Sequence, residues 1–230
     1  MNSASTGRDE KLFVPKPLRN RYAALGLTSR DIIIRMLAFP ANTRGSIEDR
    51  IRSQMNIGKD YRVAWELQQE VPNKTEGTDR EYLVVAIPDR DARRALGLVS
   101  QGSPFPASLE AAGVASLKAF ENACLPYHTE DCVALLDAGT SGMLLSLFVR
   151  GQLSLVKTFT FGESALVRTV QRRLGISAEE ARGIILDRSF NILETAHEVL
   201  RPFVEQLKRS AQYVQHKNNL APTCIYLSGG

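Results

Sequence analysis

The middle of the chain is dominated by three apolar runs separated by short loops. Short apolar runs bounded by turn residues are typical of buried β-strands. Three such runs in succession, joined by short loops, predict an antiparallel meander. The runs cover residues 132–136, 143–149 and 153–161.

The flanking regions alternate between strand-like and helix-like patterns. Runs rich in β-branched and aromatic residues predict further strands, and apolar residues at helical spacing predict helices. The predicted strands are 32–39, 61–71, 82–87, a short one at 108–113, and 223–227. The predicted helices are 46–57, 89–98, 114–125, 162–174, one that starts at 178, and 190–215. Residues 1–27, polar at first and then interrupted by two prolines, predict an irregular arm.

Several helix ends carry their own signals. Ser177 followed by Glu180 predicts a capping box, and Gly175 predicts the end of the helix before it. We expect Asp89 to cap the helix that follows it. Pro202 lies inside the long C-terminal helix and should kink or restart it.

Composition narrows the class of protein. The 230 residues suffice for one large domain or two modest ones, and 43% apolar with 23% charged residues is ordinary for a soluble globular protein. The net charge of +4 is small and scattered, so nucleic acid is not an indicated partner. No stretch approaches the roughly 18 apolar residues of a membrane span. The cysteines lack metal spacing and lie in apolar runs, which predicts buried thiols in a reducing compartment.

The loop after the first central run is the candidate site. Asp137 ends the run, and Gly139, Thr140, Ser141 and Gly142 form the loop. A loop of this kind can present backbone N–H groups to a phosphate, beside a carboxylate that holds a magnesium ion through water. The same residues also suit a plain hairpin, in which the glycines supply positive φ and Asp137 bonds its own loop. Spacing alone leaves both interpretations open.

Several motifs, in this order and spacing, resemble the type IV pilus assembly protein PilM family of the actin-like ATPase superfamily. The resemblance covers about residues 30 to 230, and its strongest segment is 133–152. Three further matches follow: Gly162-Glu163 where the family usually has Gly-Gly-Glu, Ala178-Glu179-Glu180-Ala181-Arg182 in place of an Ala-Glu-x-x-Lys helix, and Ser228-Gly229-Gly230 in place of the adenosine motif.

The resemblance implies an α/β, actin-like ATPase (ribonuclease H-like) fold that is incomplete and carries a small inserted α/β subdomain. Residues 1–30 would be an arm or a remnant of the first lobe, and 31–106 the inserted subdomain, placed as in the cell-division relative FtsA. Residues 107–131 would return to the first lobe, and 132–230 would form a truncated second lobe. The chain ends directly after a predicted strand, so we expect further sequence beyond it.

The resemblance also implies a site for ATP and Mg²⁺. The implied residues come from the matching segments: Asp137 for Mg²⁺ through water, Gly139, Thr140 and Ser141 for the β- and γ-phosphates, Gly162 and Glu163 beside them, Glu179 and Arg182 for the ribose and adenine, and Gly229 and Gly230 for the α-phosphate and base. For Glu179 and Arg182, an exposed ion pair is an equal alternative.

The chain departs from the family at its start. Family members begin with a strand and an Asp-x-Gly loop that faces the second loop across the cleft, and residues 1–39 contain no such motif. Phosphoryl transfer depends mostly on positioning and charge stabilisation. We therefore expect weak or no ATP binding, no significant hydrolysis and no catalytic residues.

The function implied by the resemblance is that of a scaffold in the type IV pilus inner-membrane platform, with twitching motility as the associated behaviour. The protein would be cytoplasmic and peripheral to the inner membrane. Its partners would be the N-terminal tail of a PilN-like membrane protein, the pilus motor ATPases and a second copy of the chain. Val63, Trp65 and Leu67 suit either the tail groove or the subdomain core.

Two alternatives from other classes remain. One is an actin-like or sugar-kinase-like ATPase with true turnover, which requires an intact first loop. The other is a nucleotide-free scaffold like the cytoplasmic domain of the type II secretion protein GspL. Binding and turnover of Mg–ATP distinguish the three functions.

Overall fold

The computed structural model describes residues 15–18, 22–73, 77–99, 104–140, 142–187 and 191–229. The strands, in chain order, are β1 Tyr22–Leu27, β2 Ile33–Pro40, β3 Tyr61–Pro72, β4 Thr78–Pro88, β5 Phe105–Ala111, β6 Cys132–Ala138, β7 Met143–Val149, β8 Gln152–Phe159 and β9 Cys224–Gly229. The helices are α1 Ile47–Met55, α2 Asp89–Gly97, α3 Ala112–Ala123, α4 Glu163–Leu174, α5 Ala178–Leu186 and α6 Leu193–Asn218. No helix in these ranges is long and apolar enough to cross a membrane.

The central sheet has the strand order β8-β7-β6-β9. Strands β6, β7 and β8 are antiparallel neighbours, which confirms the predicted meander, and β9 pairs with β6 in parallel. Both faces of β6 are covered, because Leu135 belongs to one buried cluster and Leu136 to another. Burial on both faces explains why this strand is an unbroken apolar run.

A second sheet, with the order β2-β4-β3, carries α1 on one face. Val84 and Ala86 of β4 pack on Ile51 of α1 in one buried cluster. On the other face, Leu83 joins the cluster that contains Leu135 of the central sheet. The alternation of β4 residues between the two clusters explains its continuous apolar run.

The third sheet consists of β1 and β5, which pair in parallel. The strand β1 lies within residues 1–27, so the prediction of an irregular arm is wrong for residues 22–27. This segment contains no β-branched residue, and its side chains alternate between exposed and half-buried positions. Its pairing partner lies more than 80 residues away in sequence. Local sequence therefore carries little signal for it.

Two of the predicted helix ends are confirmed. Ser177 accepts a hydrogen bond from the Glu180 N–H, and the Glu180 side chain accepts one from the Ser177 N–H, so the capping box is complete. Gly175 follows α4 with φ of 66°, in the left-handed region where glycine is favoured.

Two other predictions about helices are wrong. Asp89 is the first residue of α2 rather than its cap, and its carboxylate binds Arg62 and Arg93 instead of a helix N–H. The helix α6 runs without interruption through Pro202, so the predicted restart is wrong, whereas the predicted kink stays a prediction. The next residue, Phe203, is buried edge-on against Phe159, with ring centroids 5.0 Å apart. This packing holds the turn in place although proline cannot donate a hydrogen bond.

The C-terminal end of α6 joins the second sheet to the central one. Lys217 Nζ lies 2.7 Å from Glu81 Oε1, and Gln69 donates to the other oxygen of Glu81 at 2.7 Å. Asn218 donates to the Ser154 hydroxyl at 3.2 Å. Polar contacts through α6, as well as the shared core, thus tie the second sheet to the central sheet.

Candidate functional site

The carboxyl ends of β1, β5 and β6 meet at a cleft of about 410 Å³. Its first wall consists of the turn after β1, residues 27–30, and the β5–α3 junction, residues 111–113. Its second wall consists of the loop after β6, residues 137–142, and the start of α4. In open α/β sheets, ligands bind outside the carboxyl ends of the strands. This cleft is therefore the candidate site.

The loop of the second wall is held to α4 by hydrogen bonds. The Ser164 N–H donates to Thr140 O at 2.9 Å, and the Glu163 N–H donates to Gly139 O at 3.4 Å. Within the loop, the Gly139 N–H donates to Gly142 O at 2.9 Å. These three amides are already bonded to the protein, so they are not available to a ligand in this conformation.

Close packing, and not backbone conformation, requires glycine at position 142 of this loop and at position 162 before α4. Neither Gly139 nor Gly142 has positive φ, so the plain-hairpin interpretation is wrong on that point. A Cβ on Gly142 would lie 2.8 Å from Phe159 O. A Cβ on Gly162 would lie 2.3 Å from Gly139 O and 2.7 Å from Thr140 O. The loop and the start of α4 therefore pack backbone against backbone.

Asp137 is half-buried at the end of β6 and contacts β9. Its Oδ1 accepts a hydrogen bond from Ser228 Oγ at 2.8 Å, so within the described residues it bonds a neighbouring strand and not its own loop. Gly229 lies opposite Ala138 with φ of 104°, and a Cβ there would lie 2.0 Å from Ala138 O. The structure thus places Ser228 and Gly229 beside the end of β6.

The remaining site residues lie outside the cleft or outside the described ranges. Arg182 on α5 reaches Glu163 at the start of α4, with Nε 3.7 Å from Oε1. Among the described residues Arg182 therefore pairs with Glu163 and not with Glu179, which contradicts the alternative of a Glu179–Arg182 ion pair. Asp137, Gly139, Thr140 and Gly162 line the cleft, whereas Glu163, Glu179, Arg182 and Gly229 do not. Ser141 and Gly230 lie outside the described residues.

Sequence reasoning missed several polar residues of the cleft, among them Thr28, Ser29 and Arg30 in the first wall and Arg168 in the second. The first three follow β1, which local sequence does not predict. Ser29 donates to Asp91 on α2 at 2.6 Å, so this turn is tied to the inserted region. Arg168 lies on a predicted helix, but no local pattern shows that its turn faces the cleft.

The described residues fit a phosphate group better than a metal ion alone. No cluster of three or more metal-ligating side chains occurs in the described ranges. Asp137 is the only carboxylate among the described cleft residues. One carboxylate can hold the water shell of Mg²⁺ when the ligand supplies phosphate oxygens. Mg²⁺ would therefore bind here only together with a phosphate ligand.

A groove of about 370 Å³ lies between β3, β4 and β5. Its apolar lining includes Ala64, Val85, Ile87, Leu96, Pro106, Leu109 and Val114. Trp65 and Leu67 do not line it and are 38% and 48% exposed. Val63 borders the groove and packs on the α1 cluster. Of the residues predicted as groove or core, only Val63 therefore belongs to either.

No protein-family model matches the chain, and no curated protein matches its sequence. Among solved structures, the chain is similar to PilM in a PilM–PilN type IV pilus biogenesis complex, with a TM-score of 0.70 and 19% identity over 91% of this chain. The chain shares the PilM fold. This confirms the actin-like ATPase fold that the resemblance implied. The chain spans 62% of the length of that PilM chain.

Two other solved structures are similar over 62% of the chain. One is the ethanolamine utilization protein EutJ from Carboxydothermus hydrogenoformans, with a TM-score of 0.40 and 19% identity over 48% of its own length. The other is an archaeal actin homolog in complex with ADP, with a TM-score of 0.45 and 9% identity over 56% of its own length.

Proposed function

We propose that the chain is a scaffold of the type IV pilus assembly platform that binds the N-terminal tail of a PilN-like membrane protein at the cytoplasmic face of the inner membrane. The observation that carries this proposal is the similarity of fold to PilM over 91% of the chain. The pilus motor ATPases and a second copy of the chain are further proposed partners.

The 370 Å³ groove is the proposed site for the tail. In the described part of the chain, β3 and β5 each pair on one side only, and residues of both strands line the groove. An extended peptide can pair with an unpaired strand edge while alternate side chains enter apolar pockets. The apolar lining of this groove suits a peptide with apolar residues at alternate positions.

The groove can be tested with a fluorescent peptide that carries the N-terminal tail of a PilN-like protein from the same genome. Ala64 is exposed and lines the groove, so Ala64→Arg fills the groove without disturbing the core. Leu67→Arg is the control, because Leu67 is exposed on the same strand but outside the groove. We expect fluorescence anisotropy to show binding about tenfold or more weaker for Ala64→Arg, since hot-spot contacts carry most of the affinity, and unchanged binding for Leu67→Arg. Equal binding by both variants, or no binding by the unaltered chain, would contradict the proposed groove.

We further propose that ATP is a structural ligand of the cleft and is not turned over significantly. The Thr140 hydroxyl, which can donate to phosphate oxygens, and Asp137, which can act through a hydrated Mg²⁺, support binding of its phosphates. In the described ranges the cleft has no second carboxylate that could activate water. When bound, Mg²⁺ would be held by Asp137 through water and by the phosphates, and would neutralise part of their charge.

Calorimetry and phosphate release with Mg–ATP distinguish this proposal from the alternative functions. Binding without phosphate release is the expected result. Release of phosphate at a steady rate would indicate an actin-like ATPase. Neither binding of Mg–ATP nor release of phosphate, together with binding of the tail peptide, would indicate a nucleotide-free scaffold.

A further inference from the structure

Two arginine side chains in the cleft lack a partner within the described part of the chain. Arg30 and Arg168 both line the cleft and are exposed, and neither guanidinium makes an ion pair or a hydrogen bond to a described residue. Some other exposed arginines, such as Arg80 and Arg173, pair with carboxylates, so a partner within the chain is available to part of this class of side chain. With Asp137 as the only carboxylate, the described lining carries a net charge of +1 from two arginines and one aspartate. This charge favours an anionic ligand.

The two arginines come from different walls. Strand β1 pairs in parallel with β5, and β6 pairs in parallel with β9. In each pair the first strand ends at the cleft, so the turn after β1 stands across from the loop after β6. Arg30 belongs to that turn, in the first wall, and Arg168 belongs to α4, in the second. The turn after β1 thus places the Arg30 guanidinium in the first wall. The loop with Gly139 and Gly142 belongs to the second wall.

The bonded backbone amides of the second wall cannot bind a phosphate, so side chains must supply donors. The Gly139, Glu163 and Ser164 N–H groups are bonded to loop carbonyls. A phosphate in this cleft therefore needs donors from elsewhere, and a guanidinium offers a planar pair of N–H groups that matches two phosphate oxygens. Arg30 and Arg168 are the side chains of that kind in the described lining.

We propose that Arg30 and Arg168 bind the phosphate groups of an oligophosphate ligand from the two walls of the cleft, so that binding does not require Mg²⁺. The inference rests on the proposed nucleotide function and specifies its phosphate chemistry. Two guanidiniums neutralise oligophosphate charge that would otherwise need a metal ion. Asp137, which already accepts a hydrogen bond from Ser228, contributes the single carboxylate.

The test is calorimetry on the whole chain with ATP and with tripolyphosphate, each in Mg²⁺ and in EDTA. We expect the Kd for ATP in EDTA to stay within about threefold of its value in Mg²⁺. Arg30→Gln and Arg168→Gln should each weaken binding about tenfold or more in EDTA, the loss expected for a hydrogen-bonded charge. Arg172→Gln is the control, since Arg172 lies one turn further along α4 and does not line the cleft.

Comparison of tripolyphosphate with ATP distinguishes a free oligophosphate from a nucleotide as the ligand of the cleft. Tripolyphosphate binding as tight as that of ATP would indicate a free oligophosphate, and a clear preference for ATP would indicate a nucleotide. In both cases the arginine variants must lose affinity. Arg30→Lys and Arg168→Lys, which keep the charge but lose the planar fork, should fall between the unaltered chain and the Gln variants. Unfolding curves check that all variants fold.

Binding of ATP that disappears in EDTA and is unaffected by both Gln variants would overturn the inference and leave the proposed ATP function intact. Binding of neither ligand under either condition would overturn the inference together with the ATP part of the proposed function. The scaffold part would then still be decided by the tail peptide, which binds at the other groove.

Discussion

The two walls of the cleft begin from the same arrangement, a strand paired in parallel with a later strand, and differ in how they are held. In the second wall, β6 is a central strand buried on both faces, and its loop packs backbone against backbone on Gly162. In the first wall, β1 is half-exposed, and the turn after it is bonded to α2 through Ser29 and Asp91. A loop that packs on the start of α4 thus faces a turn that is bonded to α2.

The difference separates two ways of making a binding wall. The second wall is shaped by its own sheet and helix, so its geometry is set wherever that sheet folds. The first wall takes its position from α2 of the inserted region, so its geometry follows that region. Substitutions in the second wall should therefore change the free energy of unfolding. Substitutions in the first wall should change how the turn after β1 is placed relative to α2.

The largest expected effect contrasts Gly162 of the second wall with Gly26 of β1, the strand that leads into the first wall. Gly162→Ala places a Cβ within 2.3 Å of a loop carbonyl oxygen, and we expect it to lower the free energy of unfolding by about 3 kcal/mol. Gly26→Ala in β1 has open space around the new Cβ, so it should be neutral or stabilise by about 0.5 kcal/mol. Urea unfolding of both variants measures the contrast, and equal losses would refute it.

A smaller effect is expected at the contact between the inserted region and α6. Glu81→Gln removes the charge that pairs with Lys217, in a contact where the side chains are only 12% and 29% exposed. We expect a loss of about 1–2 kcal/mol, because Lys217 then stays partly buried without its partner. Glu70→Gln is the control, since the Glu70–Arg80 pair is exposed on both sides and should contribute little. Urea unfolding measures both, and an unchanged Glu81→Gln would show that this pair does not hold the regions together.

The smallest expected effect concerns α5, which packs on α4 behind the second wall. The Ser177 N–H lowers the pKa of Glu180 below its ordinary value of 4.5 by hydrogen bonding to the carboxylate. A lowered folded-state pKa means that this contribution is present above about pH 4.5 and is lost as the pH falls through the folded-state value. The stability difference between the chain and Glu180→Gln should therefore shrink on acidification. Thermal unfolding between about pH 7 and about pH 3 measures it, and a constant difference would exclude a role for this charge.

The parts of the fold that sequence predicts are those with local signals. The meander, the Ser177–Glu180 capping box and the end of α4 at Gly175 depend on neighbours within a few residues. The strand β1 escapes prediction because it is recognised only through pairing with Phe105–Ala111, far along the chain. Burial of Phe203 likewise overrides the local preference of Pro202 to end a helix.

The candidate site also contains residues with local sequence signals and residues that only distant contacts bring into place. Asp137 and its glycine loop are visible as a motif, whereas the reason for the glycines is not, since it lies in contacts with Phe159 and Gly162. Arg30 and Arg168 have no motif at all. They line the same cleft only because folding brings two sheets together. Tertiary packing, and not local sequence, therefore decides their position.

The bond between Ser29 and Asp91 links the cleft to the 370 Å³ groove. Asp91 lies on α2, whose Leu96 lines that groove, and Ala111 lines both the groove and the cleft. A ligand that shifts the turn after β1 therefore acts on the helix that borders the groove. Any coupling of this kind is reciprocal: if an occupied cleft tightens the groove for its peptide, the peptide tightens the cleft for its ligand by the same factor.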